Sequence, residues 1–348
     1  MADIAQRYAE NPILRPADVR PSIAGMQVEC LLNPGVFRFD GKTWLLLRVA
    51  ERPKQASGKT SFPVLDATGK VEILEFDNSD SKLNRDDPRV INYDGSDYLT
   101  TMSHLRLVAS EDGVNFREDP GYPPMFGQGE LEAYGIEDCR VVRIDETYYL
   151  TYTQVSAHGV GVGLRTTTDW HSFSHHGMML PPHNKDCAIF DERIAGKYHA
   201  LHRPSSVFLG GNYIWLAKSP DLVHWGSHRC LAHSRPGMWD AARVGAGAAP
   251  IRTPAGWLAI YHGADANQRY CLGALLLDLE APCKVVARSR EPIMEPIAEY
   301  ERTGFFGNVV FTNGHVVDGD TLTIYYGASD SVICGARLSI EEILKSLR

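Results

Sequence analysis

The stretch DGKTWLLLRV (residues 40–49) places an Asp-Gly turn directly before an apolar run that ends in an arginine and a valine. Four further stretches repeat this arrangement of a short polar turn and an aromatic-rich run: DETYYLTYT (145–153), AGKYHALHRP (195–204), AGWLAIYHG (255–263) and DGDTLTIYYG (318–327). Turns of this kind, followed by aromatic and β-branched residues, are typical of β-hairpins. The sequence therefore predicts five related hairpins.

A second β-like segment precedes each of the five turns. These segments are NPGVFRF from Asn33, EDCRVVRI from Glu137, KDCAIF from Lys185, GAGAAPIRT from Gly245 and GNVVFTNGHVV from Gly307. After three of the hairpins, a turn containing an aspartate leads to an aromatic residue, in SEDGVNF (110–116), TTDWHSF (167–173) and SPDLVHW (219–225). These stretches predict further outer strands, so each hairpin is expected to belong to a larger antiparallel unit.

Repeated units of a few strands that stack radially form a β-propeller. We therefore predict an all-β fold, a five-bladed β-propeller that spans residues 1–348 as a single domain. Residues 51–100 are predicted to be a loop-rich insertion or an ornate first blade, because they contain the polar tract DNSDSKLNRDDPRVINYDGSD. The last residues, LSIEEILKSLR, predict a short C-terminal helix capped by Ser339. A β-sandwich whose hairpins are similar by chance is the alternative.

The composition excludes several classes of protein. The 348 residues are 44% hydrophobic and 22% charged, with a formal net charge of −8 and no apolar run long enough to span a bilayer. We therefore expect neither a membrane nor a nucleic-acid partner. The N-terminus lacks the pattern of a signal peptide, and the seven scattered cysteines show no CxxC spacing, which favours a reduced, cytoplasmic protein without a zinc site.

Polar residues at the starts of the innermost strands of a propeller converge on one mouth of its central channel. The five first strands supply Asn33, Glu137, Asp138, Lys185, Asp186, the glycines at 245 and 247, and Asn308. The second strands add Arg48, Arg203 and His262, and Asp330 follows the last hairpin. Carboxylates, cations and amides without metal-ligand spacing suit a polyhydroxylated substrate, with carboxylates available for acid catalysis.

Some of these residues have plainer explanations. Glu137 and Asp138 could pair with Arg140 or Arg143 in an ordinary structural ion pair. GAGAAP (245–250) lacks the spacing of a dinucleotide-binding loop, so we expect close backbone packing there. The histidines at 171, 175, 176 and 183 suggest a metal site, but their irregular spacing favours a solvated loop near the pocket.

Several long motifs, in the order in which they occur, resemble those of one known family. GIEDCR with VVRIDETYYLTYT, NKDCAIFDERIAGKYHALHRP, GAGAAPIRTPAGWLAIYHG, EPIAEYERTGFFGNVVF and DGDTLTIYYGASD are similar to the motifs of glycoside hydrolase family 130, the β-mannoside phosphorylases and related mannosidases. The similarity runs from about Asn33 to Asp330. It also implies a five-bladed propeller with its site at the axis.

The resemblance implies an inverting phosphorolysis in which phosphate attacks the anomeric carbon of a β-mannosyl unit and gives α-mannose 1-phosphate and a shortened acceptor. Asp138 matches the general acid, which acts through a hydroxyl group of the mannosyl ring. The remaining matches are Lys185, Arg203 and His262 for phosphate, Asn33, Arg48 and Asp330 for the mannosyl ring, Asp186 beside the phosphate site as a further substrate-binding residue, and Arg140 in support of Asp138 or the anion.

The pair Lys185-Asp186 resembles the subgroup that acts on β-1,2-linked mannosides, whereas members acting on mannosyl-glucose tend to have Arg-Asn. Inorganic phosphate is then the co-substrate, no cofactor is expected, and a homo-oligomer is one assembly that the family implies. Two alternatives stay open from the sequence: an inverting β-mannosidase that uses water, and a carbohydrate-binding propeller without catalysis.

Overall fold

The computed structural model describes residues 3–66, 68–86, 90–205 and 209–347. Its strands are β1 (Gln6–Arg7), β2 (Met26–Phe39), β3 (Lys42–Pro53), β4 (Lys59–Leu65), β5 (Val71–Asp77), β6 (Leu83–Asn84), β7 (Val90–Tyr93), β8 (Ser96–Leu99), β9 (Met102–Ser110), β10 (Arg117–Glu118), β11 (Ile136–Ile144), β12 (Thr147–Ser156), β13 (Gly159–Thr167), β14 (Ser174–Leu180), β15 (Asn184–Ile189), β16 (Tyr198–Pro204), β17 (Ile214–Ser219), β18 (Gly226–Ala232), β19 (Arg243–Ala246), β20 (Ile251–Thr253), β21 (Gly256–Ala264), β22 (Tyr270–Leu277), β23 (Val285–Arg288), β24 (Val310–Asp318), β25 (Thr321–Ala328) and β26 (Val332–Ser339). The helices are the short 3-10 turns Pro16–Asp18 and Glu130–Glu132, α1 (Glu299–Arg302) and α2 (Ile340–Ser346).

The fold is all-β and consists of antiparallel sheets that share one plan. Five sheets have the strand orders β2-β3-β9-β10, β11-β12-β13-β14, β15-β16-β17-β18, β19-β21-β22-β23 and β24-β25-β26-β1, and β20 also pairs with β21. In each sheet, successive strands of the chain are neighbours, apart from the insertion between β3 and β9, the short β20 between β19 and β21, and the return of β1 to the last sheet. The predicted outer strands are confirmed.

The five predicted hairpins are confirmed, and two of their turns share one backbone geometry. In the β2–β3 turn, Asp40 and Gly41 have φ values of 48° and 72°, and Ala195 and Gly196 before β16 have 48° and 76°. Two consecutive positive φ values are the signature of a type I′ turn, whose twist matches that of the strands it joins.

The first strands of the sheets lie against one another. β2 contacts β24 and β11, β11 contacts β15, β15 contacts β19, and β22 contacts β24. Apolar side chains fill the space between neighbouring sheets. For example, Phe37 of β2 stacks on Trp170 with ring centroids 3.8 Å apart and meets the edge of Tyr148 from β12.

The segment between β3 and β9, for which we predicted a loop-rich insertion or an ornate first blade, contains more strand than a loop-rich tract would. β4 pairs with β5, and β6, β7 and β8 form a small sheet of their own. Phe62 contacts Phe76 at 5.3 Å and Tyr98 at 4.7 Å between ring centroids, and Phe76 contacts Tyr93 at 4.0 Å. This aromatic cluster gives the insertion its own small core. Residues 87–89 of the polar tract lie outside the described residues.

The two ends of the described chain meet in the last sheet. β1 pairs with β26, and Arg7 Nε donates to the buried Glu301 carboxylate at 2.7 Å. Helix α2 begins after Ser339, whose hydroxyl accepts from the backbone N–H of Glu342 at 3.1 Å, as predicted. In the part of the chain that the structure describes, no helix has the length and apolarity needed to cross a membrane.

Candidate active site

Four of the first strands are interrupted by a bulge at a polar residue. The pairing register shifts around Asn33 in β2, Asp138 in β11, Asp186 in β15 and Asn313 in β24. Asn33, Asp138 and Asp186 also have positive φ values of 21°, 48° and 54°. A bulge turns a side chain away from the regular alternation of a strand. The bulges therefore explain how polar residues can occupy strands that are otherwise apolar.

Asp138 lies between an arginine and an amide. Its Oδ1 accepts from Arg48 Nη1 at 3.1 Å and from Asn33 Nδ2 at 3.2 Å. Arg48 Nη2 donates to Glu137 Oε1 at 2.8 Å, and its Nε donates to Ser103 Oγ at 3.0 Å. One guanidinium thus bridges both carboxylates, so the cation that pairs with Glu137 and Asp138 is Arg48.

The two arginines considered as partners from the sequence have other contacts. Arg143 is on the surface, where it pairs with Glu146 at 2.7 Å. Arg140 is buried and donates to the backbone carbonyls of Asp138, Ala246 and Gly247 at 2.8–3.2 Å. Arg140 therefore supports the main chain of Asp138 and joins β11 to the end of β19.

The carboxylates near Arg48 differ in their affinity for a proton. Burial favours the neutral form of Asp138, but the charges of Arg48 and Arg140 outweigh it and lower the pKa of Asp138. Burial raises the pKa of Asp330 to about 6, with the charges of Asp138 and Glu137 adding to the effect and Arg48 opposing it. Neighbouring carboxyl groups with separated pKa values are typical of sites that move protons.

The buried carboxylate of Asp186 lies among two guanidinium groups and the imidazole of His262. Oδ1 is 3.1 Å from Arg140 Nη2, and Oδ2 is 2.7 Å from Arg203 Nε and 3.3 Å from His262 Nε2. Lys185 is paired with Arg203 in the β15–β16 ladder. Lys185 and Arg203 are therefore directly opposite each other on neighbouring strands, beside the bulge that carries Asp186.

His262 is fully enclosed and stacks on Phe311 with ring centroids 4.0 Å apart. Burial lowers its pKa, and the charges of Arg203 and Arg140 act in the same direction, while the Asp186 carboxylate opposes them. The surroundings of His262 in the free protein therefore favour the neutral imidazole. It can donate one hydrogen bond and accept another.

Several buried polar atoms in this region lack a hydrogen-bond partner among the described residues. They are Asn33 Oδ1, Asp186 Oδ2, Arg203 Nε, Arg243 Nε, Asn313 Oδ1, Ser329 Oγ and both ring nitrogens of His262. Buried polar groups are normally paired, and exceptions concentrate where water or a ligand completes the bonding. The concentration of such atoms around Asp138 and Asp186 indicates a site for a polar ligand.

Two glycines allow the side chains to approach so closely. A Cβ atom at Gly245 would lie 2.3 Å from Asp186 Oδ2 and 2.4 Å from His262 Nε2, and one at Gly327 would lie 2.4 Å from Asn33 Oδ1. Real Cβ atoms do not approach so near. The close packing that we predicted for the glycine-rich stretch is confirmed, and its physical reason is the space required by the side chains of the site.

The structure adds two site residues that the sequence analysis missed. Arg243 at the start of β19 donates to the hydroxyl of Tyr270 at 3.0 Å. Tyr270 in turn lies near enough to Arg203 and Asp186 for their charges to affect its pKa, which burial raises. The available signal was a cation only two positions before Gly245.

An exposed aromatic pair lies beside Asp330. Phe305 and Phe306 have exposed fractions of 62% and 42%. Their loop is fixed by bonds from Phe306 N to Ser329 O at 3.1 Å and from Phe305 N to Ser331 Oγ at 2.7 Å. A rigid, exposed aromatic surface next to a polar cluster is suited to the apolar face of a sugar ring.

The histidine-rich segment is not a single loop, because part of it forms β14, whereas His183 directly precedes β15, the strand of Lys185 and Asp186. His175 and His176 are in β14, the strand farthest from β11 in its sheet. His175 Nε2 lies 3.0 Å from Glu132 Oε1, and His176 Nε2 lies 2.9 Å from Thr166 Oγ1. Within the described ranges, no group of three or more histidine, cysteine or acidic side chains could hold a metal ion.

An acid held by an arginine, with further cations on neighbouring strands, is a set that can act on a sugar and bind an anion. Comparisons with known proteins agree with this class of site. The family model described as Glyco_hydro_130, β-1,4-mannooligosaccharide phosphorylase, matches residues 90–348. The chain belongs to glycoside hydrolase family 130.

Two curated relatives and one solved structure define the similarity further. The β-1,2-mannobiose phosphorylase of Listeria innocua is 44% identical over 98% of this chain and 98% of its own. The 1,2-β-oligomannan phosphorylase of Thermoanaerobacter sp. is 42% identical over 71% of this chain and 82% of its own. The structure of the Listeria innocua enzyme with β-1,2-mannobiose superposes with a TM-score of 0.92 and 43% identity, covering 99% of both chains.

Proposed function

We propose that this protein is an inverting phosphorylase of β-1,2-linked mannooligosaccharides. The observation that carries the proposal is the placement of Asp138, bridged by Arg48, beside the cations that surround Asp186. An acid for the leaving group and a cationic place for the nucleophile are the two parts that phosphorolysis requires. The similarity to two phosphorylases of β-1,2-mannosides supports the choice of linkage.

The reaction breaks the bond between the anomeric carbon and the bridging oxygen and forms a bond from that carbon to a phosphate oxygen. Asp138 supplies the proton that reaches the leaving oxygen, by way of a hydroxyl group of the mannosyl ring. The proton that monohydrogen phosphate loses when it becomes an ester restores the acid. The products are α-mannose 1-phosphate and an acceptor shortened by one unit, and no cofactor is required.

Phosphate binding would also prepare the acid. In the free protein, the charges of Arg48 and Arg140 keep the pKa of Asp138 low, which favours the ionised form. A bound phosphate dianion would offset the cationic field and add negative charge near the carboxylate. Both effects raise a carboxyl pKa, so Asp138 would take up its proton when the nucleophile arrives.

The proposed roles of the remaining residues follow from their positions. Lys185, Arg203 and His262 bind phosphate, with Arg243 as a fourth member because its unpartnered Nε lies in the same region. Asn33, Arg48 and Asp330 hold the mannosyl ring beside Asp138. The exposed pair Phe305 and Phe306 provides the surface for the acceptor sugar.

We also propose that the five sheets form the blades of one propeller domain with the site at its axis. The contacts between first strands run from β24 through β2, β11, β15 and β19, and β22 returns to β24. The insertion of β4 to β8 then decorates the first blade. The cytoplasmic location expected from the cysteine pattern belongs to the same proposal, since a charged sugar phosphate formed there stays in the cell.

The deciding experiment incubates the purified protein with β-1,2-mannobiose, with and without inorganic phosphate, and measures mannose 1-phosphate and free mannose separately. Formation of mannose 1-phosphate only with phosphate is the expected result. Free mannose at an equal rate in both samples would identify a mannosidase. Binding of the disaccharide without either product would identify a carbohydrate-binding protein.

A further inference from the structure

The carboxylate of Asp186 is enclosed by protein, unlike that of a residue that contacts a sugar. Its side chain is 2% exposed, and its carboxylate faces Arg140, Arg203 and His262. Gly245 closes the remaining side, since even a methyl group there would come within 2.3 Å of Asp186 Oδ2. This leaves no space for a sugar hydroxyl against Oδ2. Any effect of Asp186 on the reaction must therefore pass through the cations that it contacts.

The negative charge of the Asp186 carboxylate offsets the charge of these cations, but the carboxylate does not satisfy all of their hydrogen-bond donors. Arg203 Nε approaches Asp186 Oδ2 to 2.7 Å, yet neither atom has a partner of good hydrogen-bond geometry among the described residues. The same holds for both ring nitrogens of His262. N–H groups that lie beside this carboxylate but lack a well-placed acceptor remain available to a second anion.

Two buried guanidinium groups depend on this one charge. Arg140 and Arg203 are both buried, and Asp186 is the carboxylate that pairs with each of them. Burying a cation without a counter-ion is strongly unfavourable, because the charge has lost its water. Without Asp186 or a bound anion, the fold would hold uncompensated positive charge close to Asp138.

We propose that Asp186 is the resident counter-ion of the phosphate site, a positioning residue that holds Arg140 and Arg203 in place in the free enzyme and limits how tightly phosphate binds. This inference rests on the proposed function, since it assumes that phosphate occupies the cationic region. Phosphate and the carboxylate share the same cations, so the negative charge of Asp186 opposes phosphate binding. Weak binding of this kind assists the exchange of phosphate and sugar phosphate.

The variant Asp186→Asn tests the inference, because it keeps the size of the side chain and removes its charge. The free protein should melt at a lower temperature, since two guanidinium groups lose their counter-ion. Added phosphate should then raise the melting temperature more than it does in the wild type. The KM for phosphate should fall on the order of tenfold, while the KM for mannobiose stays unchanged.

A matched control lies outside the site. Asp240 is 0% exposed, pairs with Arg235 at 2.8 Å and Arg288 at 2.6 Å, and accepts from the hydroxyl of Tyr261 at 2.8 Å. Asp240→Asn should also lower the melting temperature, because it breaks a similar pair of contacts. It should not increase the stabilisation by phosphate, so it separates a general loss of stability from the predicted effect.

The experiment measures melting temperatures over a phosphate series, and KM for phosphate and β-1,2-mannobiose, for the wild type and both variants. A larger phosphate effect in Asp186→Asn alone supports the inference. A phosphate effect no larger than that of the wild type, or a raised KM for mannobiose with an unchanged KM for phosphate, overturns it. Absence of both phosphate stabilisation and phosphorolysis in the wild type would overturn the proposed function, and the inference with it.

A second comparison covers the case in which Asp186→Asn does not fold. The double variant Asp186→Asn/Arg203→Gln differs from Arg203→Gln only by the loss of the Asp186 charge. It also removes both members of a buried ion pair. The double variant should have the lower KM for phosphate of the two. An equal or higher KM would overturn the inference.

Discussion

The site on the first strands and a second cluster around Glu132 both bury carboxylates against arginines, but they differ in how completely their polar atoms are paired. Glu132 accepts from Tyr152 Oη at 2.6 Å, Arg165 Nη2 at 2.6 Å and the backbone N–H of Gln128 at 2.8 Å. His175 adds a fourth contact at 3.0 Å. The Glu132 cluster is thus complete within the protein, and it fixes the segment before β11 to β12 and β13.

By contrast, the polar atoms of the active site are not all paired within the protein. Asp186 Oδ2, Arg203 Nε and both nitrogens of His262 lack hydrogen-bond partners in the described part of the chain, and Asp138, Glu137 and Asp330 hold like charges near one another. Burial and ion pairing alone therefore do not distinguish a functional carboxylate from a structural one. The distinguishing property is bonding capacity that the protein leaves unused.

The largest predicted difference is between Asp138→Asn and Glu132→Gln. Loss of the general acid should lower kcat by about 10²–10⁴, with a smaller loss of unfolding free energy than in Glu132→Gln because Arg48 keeps its ion pair with Glu137. Glu132→Gln should instead lower the unfolding free energy by about 3–5 kcal/mol, because it leaves a buried arginine without its counter-ion. Phosphorolysis rates and urea denaturation of both variants test this. Wild-type turnover in Asp138→Asn would remove that residue from the role of acid.

Lys185→Ala should separate the two substrates. Loss of one charged contact to phosphate should raise the KM for phosphate on the order of ten- to a hundredfold. The KM for mannobiose should change little, since Lys185 is assigned to the anion. Initial rates over a matrix of both substrate concentrations provide the measurement, with Lys197→Ala on the outer β15–β16 turn as the control. Equal changes in both KM values would contradict a phosphate-specific role.

Asp330→Asn should stabilise the fold above about pH 6. The pKa of Asp330 is raised to about 6, so between about pH 4 and 6 the native state binds more protons than the unfolded state. The stability of the wild type therefore falls as the pH rises through this window, and the variant lacks this loss. At pH 7, the variant should gain about 1–2 kcal/mol after allowance for partial exposure, while its turnover falls. Denaturation curves at pH 4 and pH 7 that show no difference in gain would contradict the assignment.

The smallest predicted effect concerns the acceptor surface. Phe305→Ala and Phe306→Ala should each raise the KM for mannooligosaccharides by about two- to tenfold, because they remove a stacking surface worth about 0.5–1.5 kcal/mol. The KM for phosphate should be unchanged. Val286→Ala, which alters an exposed apolar residue on β23, is the control. An unchanged KM in both phenylalanine variants would exclude this surface from substrate binding.

The hairpins were predictable because their signals are local. Asp40-Gly41 and Ala195-Gly196 both adopt positive φ values, which Asp-Gly favours and which glycine makes possible at the second position of each turn, and the aromatic runs after them form buried strands. The sequence also indicated the polar residues of the site, since Asp138 and Asp186 interrupt apolar segments. The bulges that turn them were not predicted, because a bulge depends on the partner strand as well as on the bulged one.

The connections within the site depend on distant parts of the chain and could not be derived from local patterns. Arg48 was an expected member, but its bridge between Glu137 and Asp138 requires two sheets to be brought together. Arg243 was not predicted because the nearby glycines indicated close backbone packing and not a charged side chain of the site. The strands between residues 51 and 100 were not predicted because the segment contains many polar surface residues and only a small aromatic core.

The pairing of β1 with β26 has a consequence for synthesis. Gln6 is opposite Arg337 in the last sheet, so a segment that is synthesised early pairs with one that is synthesised much later. Until then, the edge of β26 and the Glu301 carboxylate that receives Arg7 have no native neighbour from the N-terminal segment. Pairing across such a separation is slow. The last sheet can therefore be completed only after β26 has been synthesised, and the N-terminal segment needs to remain free of other strand edges until that moment.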